Sequence, residues 1–130
     1  MNKTLLLAAF AVLLAACGEP RVEVVVPLAV ISVSPHDGAT GIDRSAAPTV
    51  CFNREVDAQT AASSLSLEVE GGAGADGQAV KPAGVSYCLS LEHHELKADT
   101  LYVIRLAKGL LAADGTPLAA ELTFRYRTAP

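Results

Sequence analysis

The chain has 130 residues, 51% of them apolar, with a net charge of −4, three cysteines and no tryptophan. Its length suits one domain of ordinary size, and a sandwich of ~100 residues buries a core without metals or many disulfides. No run of Lys and Arg exists, which argues against nucleic acid and against electrostatic docking to anionic lipid.

The N-terminus has the layout of a secretory signal. Met1-Asn2-Lys3 is a short positive start, residues 5–14 are almost continuously apolar, and Ala15-Ala16 supplies small residues before Cys17. The apolar run is too short to span a bilayer, which takes about 20 residues. Leu14-Ala15-Ala16-Cys17 closely resembles the bacterial lipobox, Leu-Ala-(Gly/Ala)-Cys. That resemblance implies removal of residues 1–16 and attachment of a diacylglycerol to the Cys17 thiol. The new amine is usually acylated as well, and two or more chains anchor stably where one is marginal. The alternative is an ordinary signal cut after Ala16, with Cys17 a free thiol. Gly18 stands where Asp would mark inner-membrane retention, so the enterobacterial sorting rule points to the outer membrane. Residues 17–28 then form the lipidated Cys and linker. Two prolines and several valines suit a short stiff tether, although residues 22–26 could instead add an edge strand.

Residues 29–130 alternate short β-like runs with turns. Residues 30–33 form the first run, ended by Pro35-His36-Asp37-Gly38. Residues 49–53 form the second, with Val50 and Phe52 on one face. Residues 57–63 are the one helix-prone insert. Residues 64–70 alternate strictly, as a half-buried strand does. Residues 71–77 read as a Gly/Ala/Asp loop, and residues 78–81 as a short strand. Residues 85–91 alternate again and place Val85, Tyr87, Leu89 and Leu91 inward. Residues 101–106 are a sixth run. Residues 122–127 close the domain, with Leu122, Phe124 and Tyr126 inward and both arginines in solvent. Seven short runs separated by Gly, Pro and Asp predict an all-β antiparallel sandwich.

The domain resembles the bacterial Ig-like domain of S-layer (SbsA-like) type. The residues that carry the resemblance run the length of the domain. They are Ser34-Pro35-His36-Asp37-Gly38-Ala39-Thr40-Gly41-Ile42, then Phe52-Asn53-Arg54-Glu55-Val56-Asp57. Leu96 follows, with Thr100, Tyr102 and Val103, then Asp114-Gly115-Thr116-Pro117-Leu118, and finally Phe124 with Thr128. The resemblance implies an Ig-like sandwich in an exported protein, used as a structural or interaction module, with no catalytic residues.

Cys51 and Cys88 remain once Cys17 is lipidated. An exported compartment permits disulfides. Cys51 shares a face with Thr49 and Asn53, and Cys88 with Ser86 and Ser90, opposite the inward residues. In an Ig-like sandwich their two strands would be neighbours in one sheet. A cross-strand disulfide on the solvent side is expected, with two free thiols as the alternative.

Other candidates for chemistry are weaker. Glu92-His93-His94-Glu95 offers Zn²⁺ or Cu²⁺ donors, but adjacent strand residues point oppositely, and the segment reads as a solvated loop. Asp37, Asp57, Asp76 and Asp114 sit in loops that could suit Ca²⁺, although Asp-Gly is ordinary turn chemistry. No Gly-x-Ser-x-Gly elbow is present. Tyr87, Tyr102 and Tyr126 read as core or rim aromatics. The expectation is a non-enzymatic envelope lipoprotein without a cofactor. Its partners are the membrane, through the anchor, and other envelope proteins. The alternative is a periplasmic or surface binding protein for a metal, glycan or small molecule, through loops 35–44 and 92–99.

Overall fold

Strands that alternate apolar and polar residues bury one face each, and two sheets of such strands bury one another. The computed structural model describes residues 18, 20, 24–72, 74–75, 77–80 and 84–130. The signal segment 1–16 and Cys17 lie outside the described residues. In chain order the elements are β1 (Val30–Ser34), β2 (Ala39–Ile42), β3 (Thr49–Phe52), α1 (Ala58–Ser64) and β4 (Leu65–Val69). Then come β5 (Gly74–Ala75), β6 (Gly77–Val80), β7 (Cys88–His93), β8 (Leu101–Leu106) and β9 (Leu122–Thr128). One sheet has the order β1-β3-β7-β6 and the other β2-β9-β8-β4-β5. Every pairing is antiparallel except β2 with β9, which is parallel. No helix among the described residues is long and apolar enough to cross a membrane.

The core lies between the sheets. Val50 and Phe52 of β3 and Leu89 and Leu91 of β7 are buried from one side. Leu65 and Leu67 of β4, Tyr102, Ile104 and Leu106 of β8, and Tyr126 of β9 are buried from the other. The chain changes sheets between β3 and β4 through α1. Asp57 caps that helix, its Oδ1 accepting from the Gln59 amide at 3.1 Å, and Ala61 turns into the core.

The expected sandwich is the observed one, with informative differences. All seven expected runs are present as strands. β2 and β5 are additional. Ala39-Thr40-Gly41-Ile42 reads as a turn, and Gly41 has φ of +66°. It becomes a strand because β9 offers an edge, with Ala39 opposite Tyr126 and Ile42 opposite Thr128. Residues 24–26 are not a strand; residues 22–23 lie outside the described residues. Tyr87 is a correction, because it is 47% exposed rather than inward. The chain turns at Ser86 and Tyr87, so β7 begins only at Cys88 and the alternation does not extend upstream. His93 ends β7 rather than lying in the following loop.

Cys51 and Cys88 are directly opposite on β3 and β7 and form a disulfide, with Cα atoms 4.0 Å apart. The expected solvent-side placement needs correcting: Cys51 is half-buried, but Cys88 is only 5% exposed. β7 is an interior strand flanked by β3 and β6, so its outer-face groups have neighbours on both sides.

The bond closes a loop of 37 residues, which the chain-entropy account values at roughly 3–4 kcal/mol. Replacing both Cys51 and Cys88 by Ala is expected to lower unfolding free energy in urea by about that amount. An unchanged denaturation midpoint would show that the crosslink contributes nothing to the domain.

Candidate functional site

Four sets of residues deserve comparison as surfaces or sites. The first is the loop end. Residues 42–46 and 93–97 do meet there. Arg44 Nε donates to the Leu96 carbonyl at 2.6 Å, the Leu96 amide donates to the Arg44 carbonyl at 3.0 Å, and Arg44 faces Glu95 at 3.5 Å. The earlier part of the expected binding loop is elsewhere: Asp37 Oδ1 accepts from the Arg125 amide at 2.8 Å, halfway along β9. Loops 35–44 and 92–99 therefore come together only in part. Both ring nitrogens of His93 face backbone carbonyls, of His94 and of Ala46. Among the described residues no three His, Cys, Asp or Glu side chains are grouped to hold a metal ion. Hydrogen bonds from Ser45 hold the Asp43 carboxyl below the usual carboxylate range.

The second surface is the outer face of the larger sheet. Arg105 lies between Glu121 at 2.6 Å and Glu68 at 3.3 Å, and their hydrogen bonds, Glu121 first, favour its charged form. Arg125 pairs with Glu70 and Arg127 with Asp99. This face is paired charge and suits water.

The third is a shallow depression of about 350 Å³ beside Ile31 and Tyr87, with Phe52, Arg54 and Ser86 in its wall.

The fourth is apolar throughout. A groove of about 400 Å³ is lined by residues 27–30, 118–120, Leu122 and Phe124. It lies where the tether reaches the domain, at the start of β1 and of β9. Leu28 forms a parallel bridge with Leu118, and its amide donates to the Pro117 carbonyl at 3.1 Å. Val24, Val25 and Val26, just before it, are 79%, 67% and 52% exposed. Polar side chains fasten this segment from behind. Arg54 Nη2 donates to the Val26 carbonyl at 2.7 Å, and Asn53 Nδ2 donates to the Pro27 carbonyl at 3.0 Å. Asn53 Oδ1 accepts from the Ala29 amide at 3.0 Å. Arg54 Nη1 in turn reaches Asp114 at 3.0 Å and Thr116 at 3.2 Å. Hydrogen bonds from Thr116, with Arg54 second, hold the Asp114 carboxyl below its ordinary value.

No local pattern marks this groove in the sequence; the one hint is Leu118-Ala119-Ala120, an apolar run in a connection. The tyrosines divide. Tyr102 and Tyr126 are stacked in the core with ring centroids 6.1 Å apart, whereas Tyr87 is on the rim. The Tyr102 hydroxyl accepts from the Lys97 amide at 2.9 Å. Burial, with Tyr102 beside it, pushes the Tyr126 hydroxyl well above its usual range.

The chain belongs to the bacterial Ig-like domain family, whose pattern matches residues 24–128. No curated protein matches it. Among solved structures it is similar to CopC from Methylosinus trichosporium OB3b, with a TM-score of 0.64 at 19% identity, over 79% of this chain and 94% of that one. It is also similar to domains 1–6 of the surface layer protein SbsC, with a TM-score of 0.59 at 20% identity. That match covers 80% of this chain but 14% of that one. The LD transpeptidase LdtMt1, solved in complex with imipenem, gives a TM-score of 0.53 at 20% identity, over 81% of this chain and 41% of that one. At these identities the likenesses show a shared fold.

The fastening of the tether makes a prediction. A carboxyl held low by folding stabilises above its unfolded pKa and loses that contribution as pH falls through the folded value. Hydrogen exchange at the Leu28 amide is therefore expected to quicken as pH drops below about 4, after correction for intrinsic exchange. Arg54→Ala should quicken it at neutral pH, with the β-sheet circular dichroism unchanged. Unaltered exchange in that variant would mean that Leu28 packing alone holds the segment.

Proposed function

We propose that this protein is a lipid-anchored component of the bacterial cell envelope that displays one Ig-like domain in a structural or protein-interaction role. The observation that carries the reading is Leu14-Ala15-Ala16-Cys17, which ends an apolar run and precedes an Ig-like domain after a short linker. Family membership and the likeness to a surface layer protein support an envelope setting.

The geometry supports display rather than turnover. Several polar residues of the motifs serve the domain's own backbone. Asp37 bonds β9, Asn53 the tether, Asp57 the start of α1, and Thr128 the loop at Lys97 and Thr100. What the domain offers outward is surface, in sheet edges, loops and an apolar groove, which is how such modules meet partners.

Intact-mass analysis of the protein from a bacterial membrane fraction, under non-reducing conditions, tests the anchor. The expected chain begins at Cys17, carries added acyl mass and is two hydrogens light for the Cys51–Cys88 bond. Density-gradient fractionation should place it with outer-membrane markers. A soluble chain with unmodified Cys17 would reject the anchor, and sedimentation with inner-membrane markers would reject the address.

A further inference from the structure

Exposed apolar surface next to a lipid anchor needs an occupant. Val24, Val25 and Val26 stand in solvent as consecutive residues, and Pro27, the next residue and also exposed, lines the apolar groove. Contiguous exposed apolar patches mark contacts with protein or membrane. We infer that the bilayer carrying the anchor is the occupant. The valine segment and the mouth of the groove rest on its surface, so the domain sits in one orientation rather than swinging on its linker. This inference rests on the acylation of Cys17 proposed above.

The length of the tether supports it. Val24 follows Cys17 by seven residues. A fully extended chain spans at most ~3.3–3.6 Å per residue, so Val24 is within about 25 Å of an acylated Cys17. Any slack brings it nearer. At the domain end Arg54 holds the Val26 carbonyl and Asn53 the Pro27 carbonyl, so the chain is fastened to the domain from Val26 onward. The groove and the segment entering it are thus confined close to lipid. Such confinement lets an apolar contact form that would be too weak to hold a free domain. The chemistry of the patch also fits. Among the described residues no Lys or Arg lines the groove, so the contact is hydrophobic and should persist in high salt. The paired charges on the outer face of the larger sheet would then stay in water.

The absence of tryptophan gives a clean test. The acylated, full mature protein is reconstituted in phosphatidylcholine vesicles with one tryptophan added, either Val25→Trp or Lys97→Trp. Lys97 is exposed, at the end of the sandwich where β9 finishes. The Val25→Trp emission is expected to shift to the blue on vesicles. Lipids brominated near the headgroup end of their chains should quench it several-fold more than the Lys97→Trp emission, with or without high salt. Equal quenching at both positions, or none at either, in protein of verified acyl mass would overturn the docking inference while leaving the anchor standing. A blue shift that grows with protein density, without bromine quenching, would assign the patch to a second copy and also overturn it. Absence of acyl mass would instead reject the anchor itself.

Discussion

The structure depends on two apolar faces set against each other. Val50, Phe52, Leu89 and Leu91 face Leu65, Leu67, Ile104 and Leu106 across the sandwich, and neither set could be buried by its own sheet. The remaining elements close that layer. α1 carries the chain from one sheet to the other, and Leu28, Leu96, Leu110 and Leu118 fill in from connections. The disulfide ties β3 to β7 within one sheet. It secures a pair already held by three registered positions rather than joining the layers.

The motifs that carried the family resemblance do physical work at the margins of this core. Phe52 and Val56 are core residues, while Asn53 and Asp57 between and beside them satisfy backbone groups of the tether and of α1. Thr128 is buried and polar, and it is fully employed. Its Oγ1 donates to the Lys97 carbonyl at 2.6 Å and accepts from the Thr100 amide at 3.0 Å. A buried hydroxyl without such partners would be costly. Residues spent on internal bonding identify a fold and say little about a ligand.

Much of this was legible in the sequence. Strict alternation in residues 64–70 marked a half-buried strand because burial on one face leaves that pattern. Parity put Cys51 and Cys88 on outer faces, and the Ig-like resemblance made their strands neighbours, so the bond was expected. Its depth was not legible, since a central strand shields groups that an edge strand would expose. Tyr87 shows the opposite limit. Val85-Ser86-Tyr87 alternates as β7 does, but backbone geometry ends the strand at Cys88. β2 had no local signal, because its partner is β9, and the contact joins Ala39 to Tyr126. The groove was hidden for the same reason. Its walls come from segments about ninety residues apart in the chain, and each reads alone as linker or turn.

The outermost strands of both sheets share one property. β5 has two residues, β2 and β6 have four each, and the ladders of β1 with β3 and of β2 with β9 shift register along their length. Short, irregular borders are poor templates for another chain's backbone. Among the described residues, copies crowded side by side would find only short, irregular strands to extend. Strand-by-strand growth from copy to copy is thereby disfavoured at high local density.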